Sequence, residues 1–284
     1  MADAGTHLIV GNDGLIGSSL KRKLQASGRT VLGTTRKPEL IERDMLLLDL
    51  AGNVNEWVVP KGLSTAFLCA AITTLKQCES DPICSRLVNV DNLARVAEKL
   101  VQNGVFVVFL STSAVFDGSL AFIASNAPLC PTTEYGRQKA DAERQLLALK
   151  GNIAIVRPTK VVSPDMPLLK QWREVLERGE PIRPFSDLRM SPISLNFATE
   201  ALMLIGESHK SGIYHLSGAT DVSYAEFAEA WIKHLDFPAH LVHATPAGSS
   251  VGKPKFSTLD MNNVTQQLGL KPPTLEQTIA SLYP

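Results

Sequence analysis

Short apolar runs alternate with longer amphipathic stretches through the first half of the chain, and this alternation is the feature that most constrains the fold. Helices are predicted over Leu15–Ala26, from about Pro82 to Val101, and from Tyr135 to about Leu149. The apolar runs predict six strands: Leu8–Val10, Thr30–Leu32, Met45–Leu48, Thr65–Cys69, Val105–Leu110 and Ile153–Val156. Strands that are apolar throughout and alternate with helices indicate a parallel sheet covered on both faces. We therefore predict an α/β fold with a doubly wound parallel sheet.

The pattern loosens after Arg157 and Pro158, where five prolines accumulate between residues 164 and 192. A strand at Ile213–Leu216 and helices at Tyr224–Leu235 and Met261–Leu268 are predicted in this part of the chain. We expect a first domain over residues 1–162 and a smaller α/β region over 163–284, built partly from loops and interleaved with the first.

Composition excludes several function classes. The 284 residues carry 28 Lys and Arg against 28 Asp and Glu, so no basic surface points to nucleic acid or to an anionic membrane. No apolar stretch is long enough to span a bilayer. The four cysteines fit no common zinc spacing, Cys69 is typical of a small core residue, and no carboxylate cluster argues for a metal. We expect reduced thiols and a cytoplasmic protein.

Three glycines follow the first predicted strand and open the first helix, at Gly11, Gly14 and Gly17, with Leu15 and Ile16 between the last two. Glycines in this context permit a tight turn, close approach of the backbone to a pyrophosphate, and close packing of helix on strand. The amides of the helix N-terminus then face the phosphates. We predict a dinucleotide site of the Rossmann type; the alternative is a tight turn without a ligand.

The end of the second strand bears on which dinucleotide is bound. NAD sites commonly place an acidic residue about where Thr35 stands, to hold the ribose hydroxyls, and none is present in the segment from Gly33 to Lys37. Arg36 and Lys37 instead offer positive charge for a 2′-phosphate. The sequence therefore favours NADP, with NAD as the alternative, although Arg36 and Lys37 could also form an ordinary solvated loop.

Tyr135 and Lys139 are spaced by four residues, which places them on one face of a helix. An ammonium beside a phenol favours the phenolate. Tyrosine titrates near 10, so acid–base work near neutral pH requires a depression of the pKa by roughly 3 units, or about 4 kcal/mol. The pair is common by chance, and its interpretation depends on the glycine turn and on the strand that ends in Ser111–Ser113.

These motifs together resemble the extended short-chain dehydrogenase/reductases over nearly the whole chain, and within them the dTDP-4-dehydrorhamnose reductase branch. The segment from Ser111 to Gly118 is similar to that branch's Ser-Thr-Asp-Tyr-Val-Phe-Asp-Gly, and Tyr135–Lys139 followed by Glu143 is similar to its catalytic helix. The segments Cys69–Thr73, Cys78–Pro82, Val88–Val90 and Gly212–Gly218 also resemble segments of the branch.

The resemblance implies the catalytic roles. Tyr135 would protonate the carbonyl oxygen as hydride arrives, Lys139 would lower the pKa of Tyr135 and hold the nicotinamide ribose, and Thr112 would orient the carbonyl.

The resemblance also implies the binding roles. Asn89 would fix backbone or water near the lysine, Asp49 and Leu50 would contact the adenine, and further cofactor contacts would come from Ala70, Ala71 and Arg157. Ser113 and Arg189 would contact a nucleoside-diphosphate sugar. A homodimer is a further expectation from the family.

Ser113 and Ala114 stand where the branch has Asp-Tyr and where related dehydratases have Asp-Glu, which argues against elimination of water. We therefore predict an NADP-preferring reductase that transfers hydride to the 4-keto group of a nucleoside-diphosphate 6-deoxy sugar. One alternative is a nucleotide-sugar epimerase with tightly bound NAD. The other is a non-catalytic NADP-binding regulatory subunit, as in methionine adenosyltransferase.

Overall fold

Eleven strands are assigned in the computed structural model, which describes residues 5–248 and 254–283. Seven of them form one sheet in the order β10-β6-β5-β4-β1-β2-β3. The strands are β1 (Thr6–Val10), β2 (Val31–Thr35), β3 (Met45–Leu47), β4 (Leu63–Leu68), β5 (Phe106–Leu110), β6 (Ile153–Pro158), β7 (Lys160–Val162), β8 (Arg189–Met190), β9 (Pro192–Ser194), β10 (Gly212–Leu216) and β11 (Val222–Ser223). From β6 through β3 each neighbouring pair is parallel, so the predicted parallel sheet is confirmed.

Ten α-helices connect or flank these strands within the described ranges. They are α1 (Leu15–Ala26), α2 (Leu75–Ser80), α3 (Pro82–Arg86), α4 (Asn92–Gln102), α5 (Glu134–Ala148), α6 (Pro167–Glu177), α7 (Leu195–Ser208), α8 (Tyr224–His234), α9 (Asn262–Leu268) and α10 (Leu275–Ala280). A π-helical turn, Leu87–Asp91, joins α3 to α4, so the single helix predicted from about Pro82 to Val101 is divided in three. None of the helices in the described residues is long and apolar enough to cross a membrane.

Helices cover both faces of the large sheet because successive strand residues point to opposite sides. Leu8 and Val10 of β1 belong to a buried cluster that includes Leu93 of α4. Phe67 of β4 points the other way and meets Gly206 of α7, where an added Cβ would lie 2.4 Å from the phenyl ring. The sheet is therefore doubly wound, as its strand order also indicates.

The chain divides into two compact units, each assembled from three segments. Unit 1 contains Met1–Phe116, Pro128–Arg157 and Thr199–Tyr214. Unit 2 contains Asp117–Ala127, Pro158–Ala198 and His215–Pro284. Each unit has its own apolar core: strands β1, β4, β5 and β6 with α4 and α5 in unit 1, and Trp172, Phe227 and Trp231 among others in unit 2.

The C-terminal half is more regular than its prolines suggest. Pro167 is the first residue of α6. At this position a backbone N–H would have no partner within the helix, so proline loses no hydrogen bond, and its fixed φ is that of a helix. β10, which the sequence assigned to the smaller region, is instead the strand of the large sheet beside β6. Two short two-stranded ladders, β11 with β8 and β7 with β9, lie in unit 2.

A buried ion pair joins α5 to the sheet in unit 1. Arg157, at the end of β6, donates through Nε (3.0 and 3.1 Å) and Nη2 (2.6 Å) to the carboxylate of Glu143 on α5. The Ser111 hydroxyl donates to the same carboxylate. The side chains of Arg157 and Glu143 are 2% and 1% exposed, so each charge relies on the other in place of water.

Replacing Glu143 with alanine should lower the free energy of unfolding by about 3–5 kcal/mol, because it leaves the Arg157 guanidinium buried without its counter-charge. Urea unfolding at pH 7 measures the change. Arg144→Ala is the matched control, since Arg144 lies on the same helix in an exposed pair with Asp141 and should change stability by less than about 1 kcal/mol. Equal losses in the two variants would contradict the assignment of the buried pair as structural.

Candidate active site

The glycine turn brings the chain after β1 against the chain after β4. Gly11 has φ +88°, and a Cβ there would lie 2.6 Å from the amide nitrogen of Ala70. A Cβ at Gly17 would lie 2.3 Å from the carbonyl oxygen of Gly11. Gly14 precedes α1 without a side-chain cap, and the first turn of α1 has no acidic residue. Its first amides are therefore available to an anion.

A cavity of about 480 Å³ opens at this turn. It lies where the strand order reverses between β1 and β4, the usual place for a ligand in an open α/β sheet. Seven of the cofactor residues predicted from the sequence line it: Gly11, Gly14, Arg36, Asp49, Leu50, Ala70 and Ala71. Leu15, Ile16 and Gly17 form the start of α1, and Asn89 and Arg157 lie outside the cavity lining.

Thr112 and Tyr135 are close neighbours. The Thr112 hydroxyl accepts a hydrogen bond from the amide of Ala114 (3.1 Å), and it lies near enough to the phenol of Tyr135 to lower the pKa of that group. Burial has the larger effect and raises the pKa of Tyr135 to about 12, with a smaller rise from Cys78. Lys139 is not among the groups that shift this pKa, so the depression expected from Lys139 is not observed.

Lys139 is buried one helical turn after Tyr135, with 2% exposure. Its Nζ lies 4.2 Å from the centre of the Phe109 ring. Burial lowers the pKa of Lys139 to about 8, while the negative charge of Glu143 and the nearby Cys69 thiol raise it. Burial also raises the pKa of Cys69 to about 12, so this thiol, which lines the cavity, stays protonated.

Gly136 sets how closely α5 approaches the turn that holds Thr112. A Cβ on Gly136 would lie 2.2 Å from the carbonyl oxygen of Ala114. The Thr133 hydroxyl accepts from the amide of Gly136 (3.1 Å) and caps the helix at this point. The short distance between helix and turn is what brings Tyr135 to Thr112.

Asn89 holds the backbone that follows Ala71. Its Oδ1 accepts from the amide of Ile72 (2.8 Å), and its Nδ2 donates to the carbonyl of Ile72 and to Oε1 of Gln138 (both 2.9 Å). Asn89 is fully buried in the π-helical turn, a feature often found at functional sites. Any contribution of Asn89 to cofactor binding is therefore through the position of this backbone.

Ser111 and Glu143 are not among the site residues predicted from the sequence, where Glu143 appears only as part of a motif. Glu143 lies four residues after Lys139, on the same helical face, and that spacing was the available signal. The guanidinium of Arg157 is held by Glu143, and it lies 5.2 Å from the centre of the Phe116 ring. A cofactor contact of Arg157 stays a prediction.

The two predicted substrate residues lie in different units. Ser113 is partly buried in the turn after Thr112, in unit 1. Arg189 is in unit 2, where its Nη2 donates to the carbonyl of Asp221 (2.8 Å) and lies 3.9 Å from Glu226. Their substrate contacts stay predictions.

Gly136→Ala should reduce kcat by about 10- to 100-fold, because the added methyl group pushes Tyr135 away from Thr112 and misplacement of about 1 Å is costly. Steady-state kinetics with a ketone substrate would measure the loss, and circular dichroism would verify folding. Gln145→Ala, on the exposed face of the same helix, is the control and should leave kcat unchanged. A fully active Gly136→Ala variant would show that this close approach is unnecessary.

Curated proteins similar to this chain are named as reductases and related proteins. A probable low-salt glycan biosynthesis reductase of Haloferax volcanii is 27% identical over 288 residues, covering 96% of each chain. The dTDP-4-dehydrorhamnose reductase of Sinorhizobium fredii is 27% identical over 233 residues, covering 75% of this chain and 77% of its own. Methionine adenosyltransferase 2 subunit beta of Xenopus laevis is 27% identical, covering 86% and 77%.

Solved structures support the same fold. The dTDP-4-dehydrorhamnose reductase of Bacillus anthracis in complex with NADP aligns with a TM-score of 0.86 over 99% of both chains, at 20% identity. MoeE5 in complex with UDP-glucuronic acid and NAD aligns with a TM-score of 0.78 over 97% of both chains, at 25% identity. The RmlD substrate binding domain family matches residues 6–283, so the chain belongs to this family, which is a branch of the extended short-chain dehydrogenase/reductases.

Proposed function

We propose that this protein is an NADPH-dependent reductase that transfers hydride to the 4-keto group of a nucleoside-diphosphate 6-deoxy sugar, with NADH as an alternative cofactor. The observation that carries the proposal is the proximity of Thr112 to the phenol of Tyr135, with the buried Lys139 one helical turn further along α5. Membership of the family and the reductases among the relatives support the reaction class.

Reduction of a ketone requires one hydride and one proton. A bound nicotinamide would supply the hydride, and the cavity beside the glycine turn has the groups to hold its dinucleotide: free helix amides, the Arg36 guanidinium and the backbone at Ala70 and Ala71. Tyr135 gives its proton to the carbonyl oxygen, and this step leaves a phenolate. The Thr112 oxygen accepts a hydrogen bond from the amide of Ala114, so the Thr112 proton can be donated to the phenol of Tyr135 or to the substrate carbonyl.

Lys139 stabilises the negative charge that forms on Tyr135. An ammonium in a buried site interacts with a developing anion more strongly than it would in water. Glu143 keeps this ammonium charged by raising its pKa against the effect of burial.

The intact acid and its buried lysine favour catalysis over the regulatory alternative. Ser113 and Arg189 are proposed to contact the sugar nucleotide. The cytoplasmic location and the homodimer stay predictions.

Tyr135→Phe should lower kcat by at least about 100-fold with little change in cofactor affinity, because it removes the proton donor and keeps the ring. The assay follows NADPH consumption with dTDP-4-keto-6-deoxyhexose. Val58→Ala, an exposed substitution outside the cavity lining, serves as the control. Turnover that survives in Tyr135→Phe would overturn the role of Tyr135, and tight binding of NADP without any turnover in the wild type would support the regulatory alternative.

The activity should fall as pH rises through about 8, because the protonated Lys139 is the active form and its pKa is lowered to about 8. Below that pH the ammonium is present, and above it the charge that stabilises the phenolate is lost. Glu143→Gln should move this alkaline limit to lower pH, since the charge that raises the pKa of Lys139 is gone. Profiles of kcat/KM against pH for wild type, Glu143→Gln and Arg144→Gln test this, and a shift common to both variants would contradict it.

A further inference from the structure

A carboxylate from the glycine turn lies beside the end of β2. Asp13 Oδ2 accepts a hydrogen bond from the hydroxyl of Thr35 (2.8 Å), and the Thr35 oxygen accepts from the amide of Lys37 (3.1 Å). Thr35 is 2% exposed, so the group that holds Asp13 is itself fixed. Asp13 therefore has a defined position in the lining of the cavity, to which Arg36 also contributes.

A carboxylate at the end of β2 can distinguish NAD from NADP. A dinucleotide site that prefers NAD uses an acid at the end of the second strand to accept hydrogen bonds from the ribose hydroxyls. Here β2 ends in Thr34 and Thr35, and Asp13 brings the carboxylate to the same place from the neighbouring loop. A carboxylate accepts from a hydroxyl and repels a phosphate dianion.

Arg36 has the opposite preference. Its guanidinium is exposed, lines the cavity, and has no carboxylate within 4 Å among the residues that the structure describes. It can meet a 2′-phosphate through paired hydrogen bonds. Asp49, the other acid in the lining, accepts from the amide of Ala51 (2.9 Å) in its own turn, which leaves Asp13 as the acid anchored at the end of β2.

We propose that Asp13 is the acceptor for the 2′-hydroxyl of the adenosine ribose, and that Asp13 and Arg36 together set the dinucleotide selectivity of this protein. Arg36 favours the 2′-phosphate of NADPH, and Asp13 opposes it and allows NADH to bind. The proposal rests on the proposed function only in that the cavity holds a nicotinamide dinucleotide.

Calorimetric titration of the purified full chain with ADP-ribose and with 2′-phospho-ADP-ribose tests this selectivity without requiring turnover. Asp13→Asn keeps an acceptor for Thr35 and removes the charge. It should tighten binding of the phosphorylated probe and weaken binding of ADP-ribose, and the ratio of the two dissociation constants should change by about 10-fold or more. Arg36→Gln should change the ratio in the opposite direction by a similar factor.

Two further variants serve as a control and as an independent test. Glu39→Gln removes an exposed charge three residues after Arg36, outside the cavity lining, and should leave the ratio unchanged. Thr35→Val releases Asp13 while leaving its charge, and it should weaken ADP-ribose binding even if Asp13→Asn fails to fold. The same titrations with NADH and NADPH should reproduce the order.

An unchanged ratio in both Asp13→Asn and Thr35→Val would overturn the proposal, as would an equal change in both affinities. If neither probe nor either dinucleotide binds the wild type, the cofactor assignment fails instead, and with it the proposed function. Tight binding of both probes by the wild type together with the predicted shift in Asp13→Asn would establish the role of Asp13.

Discussion

The carboxylate of Glu143 is the group on which the rest of the site depends. It binds Ser111 at the end of β5 and Arg157 at the end of β6, and it lies one turn beyond Lys139 on α5. Because a buried charge is costly unless its partners are in place, α5 cannot shift along the sheet without breaking these bonds. Thr112 follows Ser111 directly, so the interaction that secures the helix also secures the distance between the hydroxyls of Thr112 and Tyr135.

The glycine turn and the pair of Tyr135 and Lys139 could be predicted because both are local patterns, set by spacing along a few residues. The contacts that complete the site are not local. Asp13 accepts a hydrogen bond from Thr35, which lies 22 positions away in the sequence. Gly136 packs against the carbonyl of Ala114, which also belongs to a different segment of the chain. The pKa of Tyr135 could not be read from spacing either, since burial raises it whereas the neighbouring lysine was expected to lower it.

The C-terminal half contains elements that were not predicted from the sequence. Its prolines suggested loops, yet Pro167 begins α6 at a position where proline suits a helix, and α7 was missed because its residues are apolar on most sides and lack a clear period of 3.6. β10 was recognised as a strand, but its place beside β6 depends on pairing between distant segments. The class of the fold and the interleaving of two regions were therefore accessible from the sequence, whereas the bounds of the three segments in each unit were not.

Burial shifts the pKa of Tyr135 and the pKa of Lys139 in opposite directions. It raises the pKa of Tyr135 to about 12 and lowers that of Lys139 to about 8, because in each case the charged form is disfavoured. A ketone reductase needs a donor that is protonated before hydride arrives, whereas oxidation of an alcohol would need the phenolate as a base. The pKa of Tyr135 therefore lies above that of Lys139. In the proposed mechanism, the upper pH limit of the activity is therefore set by Lys139 and by Glu143, which keeps Lys139 charged, and not by Tyr135, the proposed proton donor.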